Sequence, residues 1–287
     1  MARLPADPEG FIRANTALEA PAMVPEFRLW LASEYVASGW DTKALHRLIV
    51  TSATYRQSAK ITAEHRTGDP ENRLYSRASR FRMPAPILRD WALAASGLAN
   101  LKVGGAPVYP YQPDAVWEAL AITKERDFTY PASRGEDLYR RSLYTFWRRT
   151  VGPANMFDAS NRQTCRVRAS GTSTPLHALT MLNDPTWVEA ARMLAQGVMK
   201  ESARPEDWLG SAFEKVVCRK PTPRELELLK KSFDRQKAIH ASNPAAAGQF
   251  LKVGESPRDE SIPIDRHAAL ATVCLGLFNL DEAMTRE

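Results

Sequence analysis

The stretch 158-DASNRQTCRVRASGTSTPLHALTMLNDP-185 is the part of the sequence around which the rest of the chain is arranged. Two helix-start signals, Thr174-Pro175 and Asp184-Pro185, follow a polar segment that carries three arginines. A threonine or aspartate side chain caps a helix N-terminus, and proline suits the first helical turn. The stretch therefore predicts an arginine-rich loop that runs into two consecutive helices.

Two neighbouring helix N-termini beside arginine side chains favour an anion, because their first backbone amides have no partner within the helix. The predicted anion- or ligand-binding residues are Arg162, Arg166, Arg168, Thr174, His177, Asn183 and Asp184. The alternative is structural: Asp184 caps its own helix, and the arginines pair with Asp158, Asp184 and Glu189.

Composition places the chain among ordinary folded proteins, since 44% of its residues are hydrophobic and 25% are charged. No apolar run approaches the ~20 residues that a membrane-spanning helix needs. Residues 1–25 carry several prolines and no apolar core of the signal-peptide type, so we expect an irregular segment and no export signal. Residues 26–287 are predicted to form a single, mostly helical domain.

The net charge of +6 includes 28 arginines. An arginine-rich surface favours an anionic partner, whereas ordinary surface salt bridges would explain the same composition. Residues 56–82 interleave arginines with aromatic residues, as nucleic-acid surfaces do. We favour a solvated loop, whose arginines pair with Asp69, Glu71 and Asp90, over a nucleic-acid surface. Nucleic acid is the weakest partner hypothesis.

The hydrophobic pattern predicts a mainly α fold: an irregular multi-helix domain with long loops and one or two short buried strands. The strongest helical pattern is formed by Trp187, Ala191, Leu194 and Val198 after Pro185. Two further helices are each predicted to bury an apolar stripe. One stripe is formed by Ile87, Trp91, Ala94, Leu98 and Leu101, and the other by Leu176, Leu179 and Leu182. The run 142–147 alternates two apolar faces and predicts a buried strand, although a helix would also align Leu143 with Trp147.

The segment 104-GGAPVYPYQP-113 predicts an extended, aromatic-rich stretch. Such a surface is able to stack on a sugar or on a proline-rich peptide, but packing on the core is the favoured interpretation. The double glycine lacks the lysine of a phosphate-binding P-loop.

No catalytic motif is found, so no catalytic residue is assigned. The three cysteines, at 165, 218 and 274, are far apart and include no C-x-x-C pair, which leaves a zinc ribbon and a c-type haem attachment unsupported. No spacing typical of metal ligands is present, and no cofactor is predicted in this chain.

Seven runs together resemble a known family: 27-FRLWLASEYVASGWDTKALHRLIVTSATYRQSA-59, 69-DPENRLYSRASRFRM-83, 104-GGAPVYPYQPDAVWEAL-120, 135-GEDLYRRSLYTFWRRTVGP-153, 174-TPLHALTMLNDPTWVEAARMLA-195, 254-GESPRDES-261 and 279-NLDEAMTRE-287. The family is the C-terminal domain, a domain of unknown function (number 1553), of planctomycete cytochrome-c-associated proteins. The resemblance covers residues 26–287. His177 stands where the family's TPLQAL motif has glutamine, and this and other departures lead us to expect a fragment or a degenerate copy.

The resemblance implies an extracytoplasmic, periplasmic location and a haem that belongs to a separate upstream cytochrome c domain. Our first hypothesis is a binding or scaffold module for an anionic or carbohydrate ligand or for a partner such as that cytochrome domain. A polysaccharide hydrolase is the alternative, and an arginine-rich nucleic-acid surface is the weaker one.

Overall fold

The computed structural model describes residues 25–72, 74–113, 130–147 and 174–286. These residues contain eleven α-helices and two strands of two residues each, which confirms the mainly α prediction. They divide into two compact units, one up to residue 80 and one from 81 to 286. The prediction of a single domain over residues 26–287 stays a prediction.

The first unit holds a helical hairpin and a short third helix: α1 (Pro25–Ala37), α2 (Thr42–Thr51) and α3 (Ala63–Gly68). The hairpin turns at Gly39, whose φ of 71° is a left-handed conformation that glycine adopts without strain. Asp41 caps α2, because its carboxylate accepts the backbone N–H groups of Lys43 and Ala44. In the polar loop that follows, Arg77 donates to the backbone carbonyls of Asp69 and Pro70.

The second unit contains eight helices in its described residues. They are α4 (Ala85–Ala95), α5 (Pro175–Asn183), α6 (Pro185–Glu201), α7 (Pro205–Val217), α8 (Pro223–Ser242), α9 (Pro244–Phe250), α10 (Ile264–Phe278) and α11 (Asp281–Met284). Two single-turn 3₁₀ helices, Gly135–Tyr139 and Ser142–Tyr144, lie in the loops. Strand β1 (Phe81–Arg82) pairs antiparallel with β2 (Thr285–Arg286).

The core of the second unit is built on α6 and α10, which are buried along most of their length. Trp187 of α6 is fully buried and packs edge-on against Phe278 of α10, with ring centroids 6.2 Å apart. Trp91 of α4 meets the same Phe278 ring at 5.1 Å. The predicted stripe from Trp187 to Val198 is confirmed as core, and α7 buries Leu209, Phe213 and Val216 in the same core.

The buried face predicted for α5 is wrong, and the face predicted for α4 is right at Trp91, which packs on the core, but not at Ile87. In α5, Leu176 and Leu179 are 67% and 57% exposed, and the helix buries His177 and Met181 instead. In α4, Ile87 is exposed while Leu88 and Arg89 are buried. The buried side of α4 also carries Leu88 and Leu93, whereas α5 leaves its leucines exposed.

The strand predicted over residues 142–147 is also wrong. Arg140 and Thr145 make only isolated β-bridges, and a 3₁₀ turn lies between them with Leu143 exposed. The Arg89 guanidinium donates to the carbonyls of Leu138 and Arg140, and the Asp90 carboxylate accepts the N–H of Ser142. The backbone pairing of this run is therefore limited to the bonds that Tyr144 and Phe146 make with Val108, and the N–H groups of Tyr144 and Thr145 are used by the 3₁₀ turn.

No α-helix in the described ranges has both the length and the apolar composition needed to cross a bilayer.

Candidate functional site

Among the described residues of the second unit, three arginines are buried, with exposed fractions of 1% for Arg89, 3% for Arg140 and 0% for Arg192. Burying a guanidinium group is costly unless its N–H groups find partners. Each of the three donates mainly to backbone carbonyls of irregular segments. We call those segments, residues 102–106, 138–142 and 253–256, the arginine-held loops.

Arg89 projects from α4 and holds the second of these loops. Its guanidinium donates to the carbonyls of Leu138 (2.7 Å) and Arg140 (2.9 Å) and to the hydroxyl of Ser142 (3.2 Å). Asp90, the next residue of α4, accepts the N–H of Ser142 at 2.6 Å. Burial lowers the pKa of Arg89, and the charge of Asp90 partly offsets that effect.

Arg140 holds the first of the arginine-held loops, residues 102–106. Its guanidinium donates to the carbonyls of Lys102 (3.3 Å), Gly104 and Ala106 (3.0 Å) and lies 4.0 Å from the centre of the Tyr144 ring. A cation over an aromatic face is stabilised by the ring's quadrupole. The double glycine therefore belongs to a loop wrapped around an arginine.

Arg192 projects from α6 and holds the third loop. Its guanidinium donates to the carbonyls of Val253 (2.7 Å) and Ser256 and to the carboxylate of Glu189 (3.3 Å). Its own backbone carbonyl accepts from Nε2 of the fully buried His267 at 2.9 Å.

Glu189, one turn before Arg192 in α6, is the centre of a polar cluster formed by Glu189, Arg192, Tyr111, Tyr139 and Ser256; we call it the Glu189 cluster. Its Oε1 accepts from the Tyr139 hydroxyl (2.8 Å), the Ser256 N–H (2.7 Å) and Arg192. Its Oε2 accepts from the Tyr111 hydroxyl (2.9 Å). The Tyr111 oxygen in turn accepts the N–H of Glu255 at 2.9 Å.

The cluster is electrically balanced, with one buried carboxylate against one buried guanidinium. Burial and the adjacent Glu189 carboxylate raise the pKa of Tyr111 well above its ordinary value. Burial also raises the pKa of Tyr139 to about 12, with Glu189 adding to the rise and Ser256 opposing it. Both hydroxyls therefore stay protonated and act as donors throughout the physiological pH range.

Gly254 allows the third loop to approach this carboxylate closely. Its φ is +88°, and a Cβ built at this position would overlap the carboxylate of Glu189. Glycine is thus required here both by the backbone conformation and by the space available.

Three aromatic side chains, Tyr109, Tyr130 and Phe146, lie together beside this cluster, and we call them the aromatic platform. The Tyr109 ring stacks on Phe146 with centroids 4.9 Å apart and meets Tyr130 edge-on at 5.7 Å. All three are half-buried, and the Tyr130 hydroxyl donates to the carbonyl of Pro110 at 2.6 Å. Tyr109 of the platform and Tyr111 of the Glu189 cluster are two residues apart in one segment.

The predicted anion-binding residues are only partly within the described ranges; Arg162, Arg166 and Arg168 lie outside them. Thr174 and Asp184 are the N-caps of α5 and α6, as predicted. His177 is buried, and Asn183 donates to the carbonyl of Leu179 in its own helix at 2.7 Å. Anion binding at these seven residues stays a prediction.

In the part of the chain that the structure describes, no three His, Cys, Asp or Glu side chains lie close enough together to hold a metal ion. The Glu189 carboxylate is occupied by four donors, so it is held as a structural acceptor and is not poised to take a proton from a substrate. The chemistry that remains at the surface is that of half-buried aromatic rings, hydroxyls and exposed carboxylates such as that of Glu255.

Sequence reasoning placed the site elsewhere, but the sequence held a signal. Four of the runs that carry the family resemblance, 104–120, 135–153, 174–195 and 254–261, each supply at least one residue to the Glu189 cluster. Runs that are distinctive for a family and lie far apart in sequence are candidates for meeting in space.

The family model described as "Protein of unknown function (DUF1553)" matches residues 17–233. This is the family that the sequence motifs resemble, and the run 254–261 lies beyond the matched range. No curated protein matches the chain, and no solved structure does.

Proposed function

The chain belongs to the DUF1553 family of proteins of unknown function, and from the geometry of its site we propose that it is a non-catalytic binding module for a carbohydrate. The proposal rests on one observation. Three buried arginines fix irregular loops, and two of these loops continue directly into the segments that carry Tyr109 and Phe146 of the aromatic platform. Loops held on a rigid scaffold are where proteins place binding residues.

A sugar suits this surface because it offers two kinds of contact. The C–H face of a pyranose ring is apolar and packs on aromatic faces, of which Tyr109, Tyr130 and Phe146 provide three. Its hydroxyl groups need polar partners at the rim, and the exposed Glu255 carboxylate, one oxygen of which accepts the Gly135 N–H, is such a partner.

The described arginines support a neutral ligand over an anionic one at this surface. The guanidinium groups of Arg89, Arg140 and Arg192 face backbone carbonyls, a hydroxyl and one carboxylate within the fold. An anion recruited here would have to compete for donors that already hold the loops in place.

A polysaccharide hydrolase is less well supported. Glycoside hydrolysis uses a pair of carboxyl groups, one of which acts as an acid or base on the substrate. Glu189 is the carboxylate most enclosed by the site, and its two oxygens accept four donors. A binding role requires no change in this arrangement.

A glycan array followed by calorimetry tests the proposal. We expect the protein to bind one class of glycan, and Tyr109→Ala and Phe146→Ala to weaken that binding at least tenfold, which corresponds to ~1.4 kcal/mol. Tyr55→Ala, which removes an exposed tyrosine of the first unit, is the matched control and should bind as the parent does.

Absence of glycan binding, or equal binding by the platform variants, would refute the proposal. Release of new reducing ends from a bound glycan would favour the hydrolase alternative instead.

We also propose, on the resemblance alone, that the module acts outside the cytoplasm beside a cytochrome c domain and carries no haem itself. Titration of the protein with a soluble c-type cytochrome tests the partnership. A binding isotherm that saturates supports it, and the lack of one at high micromolar concentration contradicts it.

A further inference from the structure

An open apolar groove of about 650 Å³ runs along the second unit between α8 and α10, far in sequence from the loops that form the aromatic platform. Leu229 and Val273 lie on its sides, and its lining extends to Leu182 of α5 and Leu280 before α11. Leu182, Leu228 and Leu280 are 44%, 57% and 39% exposed, which is unusual for leucines grouped around one depression. Contiguous exposed apolar surface of this kind marks an interaction site.

The dimensions of the groove suit a helix. Its lining on α8 extends from Glu225 to Gln236. The eleven steps of 1.5 Å between these two residues correspond to roughly 16 Å, or about three helical turns. That length accommodates apolar anchors at positions i, i+3 or i+4, and i+7 of a bound helix.

The two ends of the groove differ in charge. One end carries the carboxylates of Glu225, Asp281 and Glu282, together with Arg219, which pairs with two of them at 2.7 Å. Within the described ranges, the groove lining at this end holds three carboxylates and no lysine or arginine side chain. The opposite end carries the uncharged side chains of Gln236 and Thr272.

We propose that this groove binds an amphipathic helix of a partner protein, with lysine or arginine residues at one end of that helix. Leucine-type anchors fill the apolar floor, and the basic end lies against the acidic rim. The charge asymmetry fixes the direction in which the helix binds, because the reverse orientation would leave its basic residues without partners.

Gly276 provides a way to block the groove. It lies in α10 on the groove lining, and no atom is within 4 Å of the position that its Cβ would take. A phenylalanine placed there would extend into the groove without meeting the protein's own atoms at Cβ. Gly276→Ala adds only a methyl group and is the matched control.

The test uses a fluorescein-labelled synthetic peptide of 14 residues with leucines at i, i+3 and i+7 and three lysines at one end. We expect fluorescence anisotropy to give a micromolar Kd for the full chain, a Kd at least tenfold higher for Gly276→Phe, and a value within threefold of the parent for Gly276→Ala. Asp281→Asn should weaken binding at low salt only. A peptide with glutamate in place of lysine should bind at least tenfold more weakly.

Leu228→Glu is a second blocking variant in case Gly276→Phe does not fold, because residue 228 is exposed and its replacement leaves the core intact. Equal binding by the parent and both blocking variants would overturn the proposal, and so would equal binding of the lysine and glutamate peptides. A concentration-dependent dimer in light scattering that Leu228→Glu converts to a monomer would assign the groove to a second copy of this chain, and would also overturn it.

Discussion

Glu189 gives the second unit its most consequential polar contact, because one carboxylate joins α6 to two loop tyrosines and to the 253–256 loop. Removing its charge would leave the guanidinium of Arg192 buried without a counterion. Breaking a buried pair by removing one partner costs ~3–5 kcal/mol.

We therefore expect Glu189→Gln to lower the free energy of unfolding by ~3 kcal/mol or more, measured by urea denaturation. The control is Glu201→Gln in the same helix, whose carboxylate pairs with Lys215 at the surface. The control should cost less than ~1 kcal/mol, as exposed pairs do. Equal losses in the two variants would contradict the buried-pair interpretation.

Gly254→Ala is expected to destabilise the protein more than Gly104→Ala. Both glycines have a positive φ, +88° and +80°, so both substitutions incur backbone strain of ~1–3 kcal/mol. Only at residue 254 does the new Cβ also overlap the Glu189 carboxylate. The difference in unfolding free energy between the two variants isolates that overlap, and a difference of zero would mean that the loop moves away freely.

His267 makes stability depend on pH below neutrality. Burial lowers its pKa from 6.5, and the charges of Arg258 and Arg192 lower it further, while its bond to the Arg192 carbonyl opposes the shift. Because the unfolded chain binds the proton more readily, this contribution is complete above pH 6.5 and is lost as the pH falls from 6.5 towards the lower folded-state value. One proton changes the unfolding free energy by at most ~1.4 kcal/mol per pH unit.

Urea denaturation of the parent and of His267→Gln between pH 7.5 and 5 measures this effect. The parent should lose stability more steeply than the variant. His240, whose pKa burial also lowers, is present in both proteins and cancels in the comparison. Parallel pH profiles would show that residue 267 does not titrate in this range.

At the scale of single elements, the helix starts were predictable from sequence. Thr174 and Asp184 were each expected to cap a helix, and each accepts a backbone N–H from the first turn of that helix. A cap depends on residues within one turn of each other, so a short window of sequence contains all the information needed.

The capping box of α8 is tied to a surface ion-pair network. The Glu225 carboxylate accepts from Arg219 and from Thr222, and these bonds lower the pKa of Glu225 to about 2 from 4.5. Since the folded-state pKa is depressed, the stabilisation is present above pH 4.5 and is lost as the pH falls from 4.5 to about 2. The group is largely exposed, so solvent screening keeps the contribution small.

We expect Thr222→Ala to cost ~1 kcal/mol at pH 7, the usual value for a lost cap. Arg219→Gln should cost less than ~1 kcal/mol at pH 7 and clearly less at pH 2.5, where most of the stabilisation that comes from the depressed pKa of Glu225 has been lost. Urea denaturation at the two pH values is the measurement. An Arg219→Gln effect that does not change with pH would exclude the ion pairs as its cause.

The buried faces of α4 and α5 were not fully predictable, because a face is chosen by whatever packs against it. The leucines at 176 and 179 form a regular stripe, yet α5 turns His177 and Met181 inward. Arginine usually lies at the surface, but Arg89 is buried. Its partners are carbonyls 49 and 51 residues away along the chain, beyond the reach of any local pattern.

At the scale of the whole molecule, the hydrophobic core belongs to the second unit. Every buried core residue lies between Ala85 and Met284 in the described ranges, whereas the first unit's described hairpin keeps Phe27, Trp30 and Trp40 about half exposed. Cooperative unfolding requires a shared core, so the two units should differ in stability.

A fragment of residues 81–287 is therefore expected to fold alone. Its urea midpoint, followed by circular dichroism, should lie within experimental error of the main transition of the full chain, and a fragment of residues 1–80 should show no cooperative transition. A broad, non-cooperative transition of the longer fragment would contradict this expectation.

The Glu189 cluster shows why the candidate site could not be located from sequence alone. Its members come from residue 111, residue 139, α6 and residue 256, and they meet only because Arg89, Arg140 and Arg192 fix the loops between them. The anion-binding hypothesis relied instead on helix starts and arginines that are neighbours in sequence. Local reasoning detects proximity along the chain, and this site depends on proximity across it.

The pairing of β1 with β2 joins residues 81–82 to residues 285–286, so the two ends of the second unit lie side by side in one antiparallel pair. A unit whose first and last residues are neighbours can be closed by a short linker between them. Such a unit is suited to circular permutation. It is also suited to insertion into a loop of another protein, because the two ends of the inserted unit already lie close together. Recombination can therefore insert a unit of this kind into unrelated proteins without changing the fold of the unit or of the host.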